Sequence, residues 1–341
     1  SIRDIHFDSS TIPPYAQPAV RSAGSALLRD TSASLRWMSQ RLRLHSAAVN
    51  EAPRPPRPFG VRRATEHCSG TLRALVPTVD GGRRRRYSLF SMAPDDIEQL
   101  RAFIDESRRI VGFTGAGVST DSGIPDYRSQ GGVWDRYRPV YFQEFLEDEE
   151  KRLLYWRRKF DLWPAVEAAV PGPGHRFFAD LYHDGKLTGL ITQNIDGLHE
   201  KSGLPPEIIV NLHGTAIKTA CLDCGAQLDS GEVYRSFDLA DGAPRCGECG
   251  GLLKPATISF GQNLDPRSLE RAETLAGSCD LLIAMGSTLV VYPAASLPAS
   301  AQAHGAKLAV VTLSQTPYDA EADVVVHRPI SEVVRSIAGP R

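Results

Sequence analysis

Two pairs of cysteines carry the clearest chemistry in this sequence. Cys221 and Cys224 are separated by two residues, as are Cys246 and Cys249, and 21 residues lie between the pairs. Four thiolates in two such knuckles complete a tetrahedron around Zn²⁺ and leave no coordination position open, so the implied ion is structural. Two disulfides are the alternative, but paired spacing in a chain of this length reads as metal first. Cys68 and Cys279 lack metal spacing and read as an incidental residue and a core residue.

Other polar groups recur at the ends of apolar runs. Gly115-Ala116-Gly117-Val118-Ser119 follows Ile110–Thr114. A glycine-rich turn there lets backbone N–H groups approach a pyrophosphate, although glycine also serves such turns for backbone reasons alone. No third glycine falls where the dehydrogenase fingerprint needs it. Next comes Ser122-Gly123-Ile124-Pro125-Asp126-Tyr127-Arg128, which puts a rigid turn, a ring able to cover a flat ligand and a guanidinium able to clamp oxygens beside that loop. Gln193, Asn194 and Asp196, after Leu187–Thr192, offer donors and acceptors suited to ribose hydroxyls and a carboxamide, or else form a polar Asx turn. His213, in Asn211-Leu212-His213-Gly214, reads as exposed, titrating near neutral pH and a candidate general base, although a lone histidine is more often structural. Gly286-Ser287-Thr288 is a second small-residue turn after an apolar run. Lys254–Gly261 reads as an extended segment able to pair with a peptide, or as a simple edge strand.

The elements that must position these groups are apolar runs: Ile110–Thr114, Leu187–Thr192, Ile208–Leu212, Leu281–Met285, Leu308–Thr312 and Val324–His327, with helical stretches between several of them. Pro94-Asp95-Asp96 starts a helix that runs to about Ser107. Strand–helix alternation of this kind predicts an α/β fold, a doubly wound parallel sheet of Rossmann type. Residues 218–257 interrupt it as a small four-cysteine zinc module. No apolar run reaches the roughly 20 residues a spanning helix needs, so no membrane partner is expected.

Residues 1–91 differ from the rest. Fifteen arginines face six acids there, about +9, which leaves about −10 for the remainder of a chain whose net charge is −1. An acidic body argues against nucleic acid as a partner. The Arg/Pro/Ser-rich segment, with a short helix around Leu35–Leu44, is expected to be mostly disordered. Its composition suits a transit peptide, a tail that binds an acidic partner, or a stretch upstream of a start at Met92, which would leave 250 residues. The last two readings are favoured. The matching locations are the cytoplasm of a bacterium or, for a transit peptide, the mitochondrial matrix.

In this order, the motifs resemble the sirtuin family over roughly residues 93–338. They are Gly-Ala-Gly-x-Ser with Ser-Gly-Ile-Pro-Asp-Tyr-Arg, Thr-Gln-Asn-Ile-Asp-Gly-Leu-His, His-Gly, the four cysteines, Phe-Gly and Gly-Ser-Thr. Pro-Asp-Tyr-Arg, Tyr155-Trp156-Arg157-Arg158 and Trp163-Pro164 are similar to the class of the mitochondrial sirtuin four group and bacterial relatives. Tyr155 and Arg158 also have the Tyr-x-x-Arg spacing of the desuccinylase class, but their surroundings resemble the former better. The resemblance implies NAD-dependent removal of acyl groups from protein lysines, with NAD as co-substrate and one structural Zn²⁺. It places Gly115, Ala116, Gly117 and Ser119 at the NAD phosphates, with Asp126, Tyr127 and Arg128 beside them. Gln193 and Asn194 fall at the ribose, Asp196 at the nicotinamide carboxamide and His213 as the base. Ile258, Phe260 and Gly261 fall at the acyl-lysine, and Gly286, Ser287, Thr288 and Thr312 on the adenosine side. Two departures stand out. Thr312, with Thr316 following, replaces a common asparagine, and Gln262 replaces the glutamate of Phe-Gly-Glu. Protein mono-ADP-ribosyl transfer and a NAD-sensing module are the competing functions. A monomer acting on acyl-lysine proteins is expected.

Overall fold

The computed structural model describes residues 95–129, 132–133 and 137–338. The expected disorder of residues 1–91, the short helix around Leu35–Leu44, and Cys68 lie outside this range.

Six strands form one parallel sheet: β1 (Ile110–Thr114), β2 (Leu187–Thr192), β3 (Ile209–Asn211), β7 (Leu281–Met285), β8 (Lys307–Val311) and β9 (Val324–Val326). All lie within about a residue or two of the apolar runs. Both faces of the central strands are covered, so β1 and β7 are buried at every position, which is why they read as unbroken apolar runs. One core layer joins Ile110, Leu190 and Ile283 to Phe178 and to Ile97, Leu100 and Ile104 of the helix Asp96–Glu106. The opposite layer joins Val111, Phe113, Ile191 and Val310 to Ala272 and Ala276 of the helix Pro266–Ser278.

The strand order is β3-β2-β1-β7-β8-β9. The chain works outward from β1 to β3, then returns to the other flank of β1 with β7. The direction therefore reverses between β1 and β7, and an open parallel sheet binds ligands outside the carboxyl ends of its strands at such a point. The loops that begin at Gly115 and Gly286 leave the sheet there.

The remaining strands, β4 (Gly214–Cys221), β5 (Gln227–Asp229) and β6 (Leu253–Thr257), make a small antiparallel sheet in the order β5-β4-β6. This module does not enclose a core of its own. Cys221, Val233, Cys246 and Leu253 pack with Val140, Phe145, Tyr155 and Trp156, residues that precede it by some sixty positions or more. Trp156 is fully buried, and its indole N–H donates to the carbonyl of Leu253. The helix Glu149–Ala168 thus supplies Tyr155 and Trp156 to the small lobe's interior. The lone Cys279 is buried in the core, and burial pushes its thiol pKa up to about 11. Among the described residues no helix is long and apolar enough to cross a membrane.

Candidate active site

The four paired cysteines converge. Their sulfurs all lie within 4.8 Å of one another, with Cys221–Cys249 at 3.5 Å and Cys224–Cys246 at 3.8 Å. Four ligands at tetrahedral Zn–S distances stand about 3.8 Å apart, so the quartet fits one Zn²⁺. The backbone N–H of Gly251 donates to the sulfur of Cys249, which helps to orient a thiolate. None of the four lines the large cleft described next.

That cleft, of about 1200 Å³, opens at the carboxyl ends of β1, β2 and β7 and extends to the small lobe. Every non-metal site residue expected from sequence lies on its wall. Gly115, Ala116, Gly117, Ser119, Gly286, Ser287, Thr288 and Thr312 surround the switch point. Asp126, Tyr127 and Arg128 form one side, and burial lowers the Arg128 pKa from its usual value. Gln193, Asn194, Asp196 and His213 form the floor, and Ile258, Phe260 and Gly261 the far wall.

The loops at Gly115 and Gly286 are held against each other by backbone hydrogen bonds. The N–H of Gly115 donates to the carbonyl of Met285, and that of Gly117 to the carbonyl of Gly286. Neither N–H is left for a phosphate. Their role is close approach. A Cβ on Gly117 would stand 2.9 Å from the Gly286 Cα. Gly286 has φ +66°, where side chains are strained, and a Cβ there would stand 2.4 Å from the Val118 nitrogen. Ser119 is bonded within the protein as well. It is 1% exposed, its hydroxyl donates to Asp196 Oδ2 at 2.7 Å and it accepts from Asn194 Nδ2 at 3.1 Å. It joins these two side chains together, and its one hydroxyl proton is already in use.

His213 is half-buried rather than exposed. Burial lowers its pKa below the ordinary value, which the hydrogen bond to Gln193 only partly opposes. Its Nδ1 lies 3.1 Å from the carbonyl of Gln193. A carbonyl only accepts, so Nδ1 carries the proton and Nε2 carries the lone pair. This is the tautomer of a histidine base. Gln193 is itself held by its side-chain N–H to Ser287 Oγ at 2.9 Å, which ties the floor to the second small-residue loop.

A layer beneath the floor was not found from sequence. His175 and His199 are 0% and 1% exposed, with ring centroids 4.8 Å apart. His175 Nδ1 accepts from the N–H of Gly172, so its Nε2–H faces Ser119 Oγ at 3.4 Å. His199 Nε2 meets Thr114 Oγ1 at 2.9 Å. A relay therefore runs from His175 through Ser119 to Asp196 and Asn194. Desolvation lowers the His175 pKa to about 4 and the His199 pKa well below 6.5. Asp196, also buried, has its carboxyl pKa raised. No local spacing marks His175, and His199 enters the sequence only as the last residue of Thr-Gln-Asn-Ile-Asp-Gly-Leu-His; what joins them is contact between distant segments.

The sign of the linkage follows from these directions. Below pH 6.5 the unfolded chain takes up a proton at His175 that the folded chain refuses down to about pH 4. The stability that comes from keeping it neutral is complete above 6.5 and drains as pH falls toward 4, by roughly 3 kcal/mol in all. Urea midpoints measured at pH 7.0, 5.5 and 4.5 should fall progressively. The raised Asp196 carboxyl works in the opposite sense as pH falls, so the parent is compared with His175→Phe, whose midpoint should fall less over this window; an equal fall in both contradicts the burial of a neutral imidazole at His175.

Tyr155 and Arg158, at the alternative class spacing, both line the small-lobe end of the cleft. The Tyr155 hydroxyl is hydrogen-bonded to Thr257 Oγ1 at 3.2 Å. Arg158 donates to the Arg138 carbonyl and lies 5.0 Å from the centre of the Tyr137 ring.

Comparison with known proteins agrees with this geometry. Residues 115–293 match the Sir2 family model. NAD-dependent protein deacetylase 1 of Bradyrhizobium diazoefficiens is 45% identical over 243 residues, covering 71% of this chain and 95% of that protein. NAD-dependent protein deacetylase 2 of Streptomyces coelicolor is 40% identical over 229 residues, covering 66% and 94%. A solved Sir2 protein with a p53 peptide and NAD⁺ is 32% identical with a TM-score of 0.63, covering 71% of this chain and 96% of its own. With the family's motifs placed around one cleft at the sheet's switch point, and with relatives this similar over nearly their whole length, the chain belongs to the Sir2, or sirtuin, family.

Proposed function

We propose that this protein removes acyl groups from protein lysines at the expense of NAD, releasing nicotinamide and an O-acyl-ADP-ribose. The observation that carries the reading is His213. Its tautomer is fixed by the Gln193 carbonyl, and it stands between the Asn194–Asp196 floor and the Ile258–Gly261 wall of one cleft. Relatives named as NAD-dependent protein deacetylases support it, as does a Sir2 structure described with a deacetylated p53 peptide and 3′-O-acetyl ADP ribose, 31% identical with a TM-score of 0.64.

In this reading NAD lies along the switch point, with its adenosine toward Gly286–Thr288 and Thr312. Asp126, Tyr127 and Arg128 cover the pyrophosphate side. Asp196 orients the nicotinamide carboxamide, and Gln193 and Asn194 hold the adjacent ribose. Ile258 and Phe260 flank the acyl-lysine and aim its carbonyl oxygen at C1′ of that ribose. Holding the two reactants in line supplies much of the acceleration. The oxygen–C1′ bond forms as the C1′–nitrogen bond breaks, and the electron pair leaves with nicotinamide. His213 Nε2 then removes the proton of a ribose hydroxyl, whose oxygen attacks the former acyl carbon. Expulsion of the lysine amine, which takes up a proton, and addition of water complete the balance.

The test is nicotinamide release with and without acylated peptide, across peptides of increasing acyl length. Release that depends on the acylated peptide and is matched by free lysine is the expected result. Equal release without peptide assigns the site to NAD hydrolysis or ADP-ribosyl transfer, and no release at all assigns it to sensing.

A further inference from the structure

A buried ammonium stands behind the wall formed by Ile258, Phe260 and Gly261. Lys254, in β6, is 2% exposed. Its Nζ donates to the carbonyl of Thr257, to that of Pro255 at 3.5 Å and to Gln262 Oε1 at 3.4 Å. It also lies 5.8 Å and 5.7 Å from the ring centres of Phe142 and Tyr155. No carboxylate pairs with it among the described residues. Desolvation lowers its pKa, which the neighbouring Tyr155 hydroxyl only partly opposes.

Burying a charge in this way costs folding energy, and an apolar side chain of the same length would fill the space without that cost. What an apolar residue could not do is hold three oxygens. Two of them are carbonyls of β6, from Pro255 and Thr257, and the third belongs to Gln262. Gln262 Oε1 also accepts from the N–H of Ser259 at 3.1 Å, and the N–H of Gln262 donates to the carbonyl of Ser259 at 3.0 Å. At the start of the same segment, the N–H of Ile258 donates to the carbonyl of His213 at 2.9 Å. The whole turn from Thr257 to Gln262 is thus closed around one ammonium and tied to the residue proposed as the base.

We propose that Lys254 is a positioning residue for substrate: with Gln262 as its neutral partner, it locks residues 257–262 in the shape that receives the acyl-lysine peptide. This rests on the reading above, in which Ile258–Gly261 contact that peptide. A segment ordered before binding does not have to be ordered by the substrate, so the effect falls on peptide affinity.

Full-chain variants Lys254→Met, Gln262→Ala, Gln262→Glu and Phe260→Ala are compared by steady-state kinetics. Peptide is varied at saturating NAD, and NAD at saturating peptide. Lys254→Met and Gln262→Ala should each raise the peptide KM about tenfold or more, while kcat and the NAD KM change less than about threefold. Gln262→Glu keeps the accepting oxygen and should stay near the parent. A folded, zinc-loaded Lys254→Met with the parental peptide KM overturns the proposal, as does an equal rise in both KM values. Should Lys254→Met fail to fold, Gln262→Ala decides by the same criterion. Phe260→Ala separates the two layers of the argument. If it raises the peptide KM while the clamp variants do not, only the clamp is wrong. If it too leaves the peptide KM unchanged, the peptide lies elsewhere and both readings fall.

Discussion

Replacing His213 by alanine should lower formation of deacylated product by roughly 10²–10⁴-fold, the range of a general base. The fold should survive, since the residue is half-buried at a strand end and not part of either core layer. Zinc content should not change, because no cysteine ligand lines the cleft. Nicotinamide exchange should fall less than turnover, because the glycosidic bond breaks before the base acts. Asp196→Asn should behave differently and reduce both reactions together, since its role is at the nicotinamide itself. The pH profile adds a second signature. Burial holds the His213 pKa below 6.5, so the base stays unprotonated into mildly acidic solution. The acid limb of kcat/KM should therefore lie below pH 6.5. A folded, zinc-loaded His213→Ala protein that deacylates near the parental rate contradicts the assignment.

The largest effect on folding should come from Cys221→Ser. The small lobe has no independent core, and Cys221 and Cys246 are buried in the cluster it shares with Tyr155 and Trp156. Apparent zinc-binding free energies of zinc-finger peptides run to roughly 10–16 kcal/mol at neutral pH, and at a structural site that binding energy is folding energy. Losing one thiolate should remove the metal and disorder the lobe. The cleft wall from Ile258 to Gly261 follows directly from β6, so peptide turnover should vanish with it. Elemental analysis alongside circular dichroism checks this. Active parent protein without zinc, or a Cys221→Ser protein that keeps its metal and its melting temperature, would stand against a structural role.

Much of the site was legible because a parallel sheet gathers its strand ends. The segments beginning at Gly115, Gln193, Leu212 and Gly286 each follow a strand read from an apolar run, so their convergence follows once the runs are strands of one sheet. The cysteine quartet was legible from spacing alone, because tetrahedral thiolate coordination demands it. What stayed hidden depends on long-range contact. Lys254 reads as an edge-strand residue, and only the packing of Phe142 and Tyr155 shows it to be buried. His175 sits in the helix Pro173–His183 like any partly polar position, until Ser119 is brought against it. His213 seemed exposed because a histidine beside a glycine at a strand end usually is. The hydrogen bonds of the Gly115–Gly117 loop were not legible either: the Gly115 N–H goes to the carbonyl of Met285 at the end of β7, and the Gly117 N–H to that of Gly286. The class spacing at Tyr155 and Arg158 could be counted in the sequence, but not where the two side chains point.

The central claim is that NAD cleavage and acyl removal are one coupled reaction in one cleft. It is tested most directly by mass spectrometry of a complete reaction containing the full chain, an acetyl-lysine peptide and NAD. The account predicts nicotinamide, deacylated peptide and an ADP-ribose bearing the acyl group, in equal amounts. Deacylated peptide with free acetate and intact NAD, or ADP-ribose attached to peptide or protein in place of an acylated ADP-ribose, would contradict it.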